Sequence, residues 1–499
     1  MLDRLKNYVR KVVGGLLGIN SVVKTSKVIT PEMSNSIEKW FEMYEDRGYW
    51  LNGSGDTLSL PSAISSEIAR LVTLEFQFIV SSSENGSDVV DNPNTRAAFL
   101  QKCINSVTAE IWKHVEYCCA GGGIVFKPYI DGDKISLSVV QADCFFPTSF
   151  DSSGDVISGE FYEIIAEDNE YYTRREIHEW RKNDDTGTSA YVIRNIAYRS
   201  SNKESIGTEV PLTSVEKWAD IEPVVTIDNV DTPLFAYMKI PLGNTTDRTS
   251  PIGVSVYANA VKLIANADQQ YQRLLWEFES GERAIDASVD AFVKNKDTNK
   301  YELPVGRERL YRLNQLDMQS SNGKGLFDIF SPEFRDAAIK SGLNVILQKI
   351  EFACGLAYGT ISDPLVVDKT AEEIKTSKQR SYSTVKLIQL QLEKALNAYT
   401  KACDNLATLY NLAPLGGYST RTSLDDSIIV DAESERARDM QEVSQGLMKK
   451  WEYRVKWYGE TPDKAKEMVG DEMTDEEILF GDRKKKEPES DNGEADVNA

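Results

Sequence analysis

The clearest pattern in the chain is a helical stripe of apolar residues within residues 250–281. Ser250 before Pro251 is a helix-start signal, and Gly281 marks the expected end. Successive positions of the stripe alternate steps of three and four residues, as on one face of an α-helix. The stripe consists of Val254, Tyr257, Val261, Ile264, Tyr271, Leu275 and Phe278. Asp268 also lies on it, so this carboxylate is expected either to contact a neighbouring group or to face a subunit boundary.

A second helix is predicted to start at Ser331-Pro332-Glu333. Its apolar stripe is Ile339, Leu343, Ile346, Ile350 and Cys354. Between the two helices, residues 285–330 alternate short strand-like runs with polar and Gly-containing turns. Neither helix is apolar on every face, so each needs a neighbour on one face only. The simplest interpretation is a helical hairpin that carries a β-rich insertion.

Helical patterns precede strand patterns in the first half of the chain. Helices are predicted for residues 31–50, for the segment after Leu60-Pro61, and for residues 99–120, which end at three glycines. The period then becomes two: IVFKPYI and ISLSVV are joined by Asp131-Gly132-Asp133, a hairpin signal. Three further strand-like runs follow, GEFYEIIAE, YYTRREIHEW and SAYVIRNIAYRS. Helices first and strands second indicate an α+β domain with an antiparallel meander.

The longest predicted helix lies in the C-terminal third of the chain. It begins near Thr370, where Glu373 completes a capping-box-like start, and it reaches about Leu412. After it we predict a strand at SLDDSIIVD (423–431), a charged helix at 432–457, and two smaller helices. The smaller helices open at Thr461-Pro462 and at Thr474. The charged end after residue 481 has almost no apolar content and is expected to be disordered.

Composition narrows the classes of function. The 499 residues include 57 basic and 78 acidic side chains, a net charge of −21. Proteins that grip nucleic acid by neutralising phosphates are usually basic, so any contact with DNA is expected to be loose. No run of about 18 apolar residues indicates a membrane-spanning helix. The basic amphipathic stretch at residues 1–20 is interpreted as a docking helix, with binding to a membrane surface as the alternative.

Residues suited to catalysis are few. The six cysteines show no C-x-x-C spacing, so we predict a reduced intracellular chain without a zinc site. His114 and His178, the two histidines, are interpreted as structural. The Gly-Lys-Gly at 323–325 does not have the strand and helix that a phosphate loop requires. The acidic pairs at 372–373 and 425–426 lack a third carboxylate at a suitable spacing. We therefore predict no catalytic site, no cofactor and no metal.

Several stretches together resemble a known family. They are MSNSIEKWFEMY, IARLVTLE, EYCCAGGGIVFKPYIDGDKI, YYTRREIHEW with YVIRNIAYRS, LFAYMKIPLGN leading into SPIGVSVYANAVKLIANADQQYQRLLWEFESGERAI, KTAEEIKTSKQRSY, and DDSIIVDAESERARDMQEVSQGLMKKWEY. In order and spacing they resemble the portal proteins of tailed bacteriophages, in particular the type from phages of Gram-positive hosts. The resemblance runs from about Met33 to Leu479, and none of these stretches is a catalytic signature.

The resemblance implies an α+β, helix-rich portal architecture. It divides the chain into a wing (1–250), a first stem helix (251–284), a clip (285–331), a second stem helix (332–354), a tunnel loop (355–369), a long wing helix (370–412), a helical crown (413–480) and the disordered tail (481–499). The long helix is expected to lie across the wing. The crown is expected to face the capsid interior.

The resemblance also implies three groups of functional residues. The tunnel loop and its neighbours would line the DNA channel with Thr360, Ser362, Asp363, Asp368, Lys369, Lys375 and Lys378. The stem would contact neighbouring subunits through Val254, Tyr257, Val261, Asp268, Tyr271, Phe278, Ile339, Leu343 and Ile346. The clip would dock partners through Asp297, Lys300, Arg307 and Arg309. For the two lysines at 375 and 378 a solvated helix face remains the alternative.

The implied function is structural. The chain would form a ring, commonly of twelve subunits, at one vertex of the virion capsid after assembly in the host cytoplasm. Double-stranded DNA would pass through it, without sequence specificity, during packaging and ejection. The implied partners are the terminase large subunit, a head–tail connector or adaptor, and the scaffolding and major capsid proteins. The alternatives are a metal-dependent DNA-processing enzyme of the packaging machinery and a membrane-peripheral scaffold that uses the first 20 residues.

Overall fold

The computed structural model describes residues 29–51, 56–74, 76–82, 95–167, 169–182, 189–202, 205–228, 230, 232–281, 284–288, 292–296, 301, 311–314, 327–330, 333–363, 371–424, 432–458 and 462–469. The chain divides into two compact units, Met1–Asp425 and Asp426–Ala499. The larger unit contains both helices and mainly antiparallel sheets. The predicted α+β class is therefore confirmed.

Helices form the N-terminal part of the larger unit. They are α1 (Pro31–Tyr44), α2 (Leu60–Thr73), α3 (Arg96–Thr108) and α4 (Ile111–Gly121), with strand β1 (Phe76–Ser82) between α2 and α3. The single helix predicted for residues 99–120 is wrong, because Glu110 has φ −124° and ψ 30°, outside the helical range. Helix α4 ends at Gly121, and the next residue, Gly122, has a φ of +85°, which suits glycine. A Cβ on Gly122 would lie 2.7 Å from the carbonyl oxygen of Gly253.

Two antiparallel sheets follow these helices. Their strands are β2 (Gly123–Asp131), β3 (Lys134–Gln141), β4 (Phe145–Phe150), β5 (Val156–Glu167), β6 (Glu170–Lys182), β7 (Ser189–Ser200), β8 (Thr208–Val210), β9 (Val224–Asp228) and β10 (Ala236–Lys239). One sheet has the order β10-β2-β3, and the other has the order β4-β5-β6-β7-β8 with β9 also paired to β7. The predicted hairpin is confirmed, because Asp131 pairs with Lys134 across the turn. The predicted meander is confirmed in β5, β6 and β7.

A buried polar chain links the two sheets. Lys127 Nζ on β2 lies 2.6 Å from Glu176 Oε2, and Glu176 Oε1 lies 2.7 Å from His178 Nε2. The other ring nitrogen of His178 lies 2.8 Å from the Tyr191 hydroxyl. Burial opposes ionisation of Glu176, but Lys127, His178 and Arg174 together outweigh it and hold the pKa of this carboxyl well below its usual range. His178 and His114 are both buried, as expected for structural residues, and this burial lowers the pKa of each.

The chain then forms a helical hairpin with a small sheet between its two helices. Helix α5 (Val261–Ser280) leads to β11 (Ala284–Ser288), β12 (Tyr311–Asn314) and β13 (Phe327–Phe330), and helix α6 (Asp336–Cys354) follows. The predicted helix start at Ser250 is wrong. Residues 250–260 form turns and a short 3-10 helix, because Val256 N–H and the Ser255 hydroxyl donate to the carbonyl oxygen of Cys119 at the end of α4. Helix α6 likewise starts later than predicted, at Asp336.

The longest helix, α7 (Ala371–Leu409), confirms the helix predicted for residues 370–412. It crosses the larger unit and contributes Ile388, Leu392, Leu396, Tyr399 and Cys403 to the main apolar core. Strand β14 (Tyr418–Leu424) follows α7 and pairs antiparallel with β1 along its length. The strand predicted at 423–431 overlaps β14 only at its first two residues, and residues 425–431 lie outside the described part.

The smaller unit contains three helices among its described residues, α8 (Ala432–Ser444), α9 (Lys450–Tyr458) and α10 (Pro462–Val469). The helix predicted for residues 432–457 is two helices, because the chain turns at Gly446, where φ is +74°. The helix predicted at Pro462 is confirmed as α10, whereas the one predicted at Thr474 lies outside the described residues. Asp439 and Ala465 are the only buried residues among those of this unit whose exposure is described.

Candidate functional site

Helices α5 and α6 run antiparallel and are locked together where the small sheet begins. Glu277 Oε1 accepts hydrogen bonds from the backbone N–H and the Nε of Arg335, at 3.0 and 3.1 Å, and Glu277 Oε2 lies 2.6 Å from Nη2 of the same arginine. The rings of Phe278 and Phe334 lie 5.6 Å apart. Toward the other end of α5, Gln270 lies beside Gly342 of α6. The ends of the two helices that flank the small sheet are therefore held side by side.

The root of the hairpin, which we define as residues 252–268 and 350–354, is buried in the main core. Ile264 on α5 and Ile350 on α6 have no exposed surface. Val254 and Tyr257, in the turns before α5, are also fully buried, and the Tyr257 hydroxyl donates to the Trp40 carbonyl oxygen at 2.8 Å. The stem assignment of Val254 and Tyr257 is thus corrected: their own chain covers them, and they are not available to a neighbouring subunit.

Asp268 is a second correction. Its Oδ2 accepts a hydrogen bond from Trp50 Nε1 at 2.9 Å, and its Oδ1 accepts one from the backbone N–H of Leu58 at 3.0 Å. The carboxyl is buried, and this burial raises its pKa. Asp268 therefore contacts a neighbouring segment of its own chain, which was one of the two expectations, and does not face a subunit boundary.

The outer part of the hairpin, which we define as residues 269–280 and 333–349, exposes apolar side chains. On α5, Trp276 is 59% and Phe278 43% exposed, and on α6 Val345 is 52% exposed. Leu275 and Phe334 are exposed as well. Among the expected stem contacts, Tyr271, Ile339, Leu343 and Ile346 are half-buried in the outer part, and Val261 is half-buried in the root. Val261, Leu343 and Ile346 pack against the main core. The hairpin thus combines a root inside the core with an outer part that its own chain leaves largely uncovered.

The small sheet between the two helices has β11 at its centre. Strand β12 pairs parallel to β11, with Ile285 opposite Tyr311, and β13 pairs antiparallel, with Ile285 opposite Ile329. These strands confirm the short strands expected within residues 285–330. All four residues expected to dock partners, Asp297, Lys300, Arg307 and Arg309, lie outside the described part of the chain.

A buried carboxylate organises the loop that follows α6. Glu351 has no exposed surface, and its two oxygens accept hydrogen bonds from the backbone N–H groups of Gly359, Ile361 and Ser362, at distances between 2.8 and 3.2 Å. The Ser362 hydroxyl donates to Oε2 at 2.8 Å. Hydrogen bonds to an ionised carboxylate are about twice as strong as neutral ones, so Glu351 fixes residues 359–362 against the end of α6. Our reading of the sequence did not identify this residue.

Helix α7 holds the same loop from the other side. The Ser381 hydroxyl accepts from the backbone N–H of Ala357 at 2.6 Å, and the Thr384 hydroxyl donates to the carbonyl oxygen of Gly355 at 3.1 Å. Gly355 has φ +73°, and a Cβ there would lie 2.4 Å from Thr384 Oγ1. The Arg380 guanidinium stacks 3.9 Å above the ring of Phe352. Residues 355–363 are thus bound to both α6 and α7.

The residues expected to line the channel differ in whether they are exposed, buried or outside the described part of the chain. Thr360 and Asp363 are exposed on the loop. Ser362 is buried against Glu351, so its assignment to the channel surface is corrected. Asp368 and Lys369 lie outside the described residues. The last two expected residues, Lys375 and Lys378, lie on α7, and their side chains are not among those described.

Within the described residues, no group of three or more His, Cys, Asp or Glu side chains is arranged to hold a metal ion. In that same part of the chain, no helix is long and apolar enough to cross a membrane.

Comparison with protein families identifies the class of protein. Residues 90–468 match the family described as phage portal protein, SPP1 Gp6-like. This match covers well over half of the 499 residues, and the chain therefore belongs to the SPP1 Gp6-like family of phage portal proteins. The resemblance seen in the sequence is confirmed, and membership implies a structural component of a phage particle that works as a ring oligomer.

Other comparisons add little to this assignment. No curated protein matches the chain. A solved chain from the neck of a native GTA particle, computed with C12 symmetry, is 12% identical with a TM-score of 0.33, over 80% of this chain and 92% of that chain. A likeness this low carries no argument about function.

We predict that Asp268→Leu destabilises the subunit itself. Trp50 Nε1 and the Leu58 N–H would lose their acceptor inside the protein, which costs about 1–3 kcal/mol. Thermal unfolding followed by circular dichroism should show a lower Tm than wild type. Asp268→Asn keeps an acceptor oxygen and should show a smaller shift. An unchanged Tm with loss of oligomers would instead place Asp268 at a subunit boundary.

We predict that Glu351→Ala frees the loop at 355–363. Loss of charge-assisted hydrogen bonds worth about 1.5–3 kcal/mol corresponds to a roughly 10- to 100-fold faster exchange of the amides at 359, 361 and 362. Hydrogen–deuterium exchange with mass spectrometry on peptides from this loop measures the effect. Glu333→Ala, at an exposed glutamate before α6, is the control and should leave the exchange unchanged. Equal protection in both variants would contradict the role of Glu351.

Proposed function

We propose that this portal protein forms a ring at one capsid vertex and that double-stranded DNA passes through the ring during packaging and ejection. In this proposal the hairpin of α5 and α6 is the stem, and the small β11–β13 sheet belongs to the clip. Residues 1–250 form the wing together with α7, and the loop at 355–369 faces the channel. Residues 413–480 were assigned to the crown, but β14 pairs with β1, so we restrict the crown to the smaller unit.

The observation that carries this proposal is the exposed apolar surface of the outer hairpin. Trp276, Phe278 and Val345 lie on two helices whose roots are buried, so these side chains cannot fold back into the core of their own chain. Burying one large apolar side chain contributes roughly 1.5–3 kcal/mol. A neighbouring copy of the hairpin supplies such a cover, and a head-to-tail contact repeated around an axis closes into a ring. The half-buried stem positions named above would join this contact.

The charge of the chain supports a channel that does not retain DNA. With a net charge of −21, the protein makes few strong phosphate contacts, and DNA slides more easily where such contacts are weak. The exposed Thr360 and Asp363 fit this picture. We assign Asp368, Lys369, Lys375 and Lys378 to the same channel on the family pattern.

The partners follow from the same proposal. The clip residues Asp297, Lys300, Arg307 and Arg309 would dock the terminase large subunit during packaging and the head–tail connector afterwards. Scaffolding and major capsid proteins would surround the ring as the virion assembles in the host cytoplasm. ATP hydrolysis would belong to the terminase, and the portal itself would act without catalysis.

We predict that Trp276→Glu prevents ring formation without unfolding the subunit. The substitution places a charge in the proposed interface and removes an apolar contact worth roughly 2–3 kcal/mol per interface. Negative-stain microscopy and sedimentation velocity should show monomers or small oligomers, with the Tm of the monomer unchanged. Arg273→Gln, at an exposed polar position of the same helix, is the control and should assemble as wild type does. Normal rings from Trp276→Glu would contradict the stem assignment.

We predict that replacing residues 284–330 by a short Gly-Ser linker removes terminase binding. Because a Cβ on Gly281 would lie 2.5 Å from the ring of Phe334, these two flanking residues are close enough for a short linker to join their segments. The variant should remain soluble and keep the Glu277–Arg335 lock. A pull-down with purified terminase large subunit should then fail, and normal capture of terminase would show that the clip is not the docking site.

A further inference from the structure

The smaller unit carries a row of cations and aromatic rings that the stem and the channel do not involve. Trp451, Arg454 and Tyr458 occupy positions i, i+3 and i+7 of α9, which place them on one face of the helix. Because an α-helix rises 1.5 Å per residue, the three side chains span roughly 10 Å.

Cations from the two other helices of the unit reach both ends of this row. Lys466 Nζ on α10 lies 4.8 Å from the centre of the Trp451 ring. The guanidinium carbons of Arg436 on α8 and Arg454 lie 5.7 and 5.3 Å from the centre of the Tyr458 ring. An aromatic face attracts a cation but carries no net charge, so these contacts position the positive groups without neutralising them.

Hydrogen bonds fix the α8 end of the row. Arg436 Nε donates to the Tyr453 hydroxyl at 3.1 Å, and Arg436 Nη2 donates to the Tyr458 hydroxyl at 3.4 Å. Arg436, Tyr458 and Lys466 are all exposed, so a ligand can reach them from solvent. Trp451 and Arg454 are half-buried, so the row is ordered and is accessible mainly at Arg436, Tyr458 and Lys466.

The helices around the row are less acidic than the chain as a whole. Residues 432–469 contain eight basic and eight acidic side chains, whereas the whole chain has a net charge of −21. Within them, residues 449–458 contain four basic side chains and one acidic side chain, and one of the four, Lys456, is ion-paired with Asp439. Lysine and arginine side chains that contact phosphates supply most of the sequence-independent affinity of a protein for DNA. Phosphates follow one another about every 3.4 Å along each DNA strand, so a 10 Å row faces about three of them. The planar guanidinium groups also suit phosphate oxygens geometrically.

We infer that the three cations of the row, Arg436, Arg454 and Lys466, which Trp451 and Tyr458 hold in place, bind the phosphate backbone of double-stranded DNA. This inference rests on the proposed function, in which a portal ring meets DNA. It adds a contact that holds DNA at the smaller unit, in contrast to the loose contact expected in the channel.

The test is DNA binding by the full-length protein as a function of salt. Fluorescence anisotropy with a labelled duplex of about 30 base pairs, between roughly 25 and 200 mM salt, gives the affinity and its salt slope. The variant Arg436→Gln/Arg454→Gln/Lys466→Gln should bind at least about tenfold more weakly at the lowest salt. Its slope of log K against log salt should be smaller by about 2–3, because each lost phosphate contact removes about 0.9.

A matched control removes the same number of positive charges elsewhere. Lys102→Gln/Lys401→Gln/Arg438→Gln changes three exposed residues outside the row and should keep most of the affinity and slope. Lys466→Gln alone, checked by circular dichroism, should lower the slope by about 0.9, and it serves if the triple variant misfolds. Equal losses in the row variant and the control would indicate a net-charge effect and overturn the inference.

Two further outcomes separate this inference from the proposed function. Unchanged DNA binding in the row variant overturns the inference. If the same variant also fails to co-assemble with the major capsid protein, the row is instead a protein-binding surface. Negative-stain microscopy of the same samples reports on the portal role. Rings with unchanged DNA binding mean that only the DNA contact is wrong, whereas absence of rings in the wild-type protein contradicts the proposed function itself.

Discussion

Burial of the hairpin root in the main core is the constraint on which the proposed ring depends. Ile264 and Ala267 on α5 and Ile350 and Cys354 on α6 belong to the same apolar cluster as α1, α4 and α7. Fully burying an isoleucine side chain contributes roughly 1.5–3 kcal/mol. Moving the root out of the core would lose this free energy for each of its buried side chains. The outer part of the hairpin is therefore held away from that core, and its apolar side chains stay available to another copy of the chain.

Two carboxylates turn this root into a rigid junction. Asp268 on α5 accepts hydrogen bonds from Trp50 and Leu58, and Glu351 on α6 accepts them from residues 359–362. In both cases a buried carboxylate on a helix fixes another segment of the chain. Asp268 binds a segment that precedes α5, and Glu351 binds the loop that follows α6. A displacement of either helix must therefore move the attached loop, unless these charge-assisted hydrogen bonds break. The loop at 355–363 consequently reports the position of α6.

The sequence predicted much of this architecture because hydrophobic period and turn chemistry are local properties. Helix α7, the hairpin at Asp131 and the meander β5–β7 follow from them. The predictions failed at positions whose conformation or role depends on contacts with residues far away in the sequence. The segment at 250–260 reads as helix by period, but its backbone is bound to the end of α4. Asp268 and Glu351 acquire their roles from loops, and no spacing along the sequence encodes those contacts. A glutamate next to the buried Ile350, shortly before a glycine-containing loop, was the only signal for Glu351.

Hydroxyl-radical footprinting of Trp276 in the isolated subunit and in the assembled protein tests the account most directly. The side chain is 59% exposed in the single chain, so the monomer should be oxidised readily at this residue. The account predicts strong protection of Trp276 on assembly, while an exposed residue outside the hairpin, such as Trp112, provides the reference. Equal oxidation of Trp276 before and after assembly would contradict a ring built through the outer hairpin.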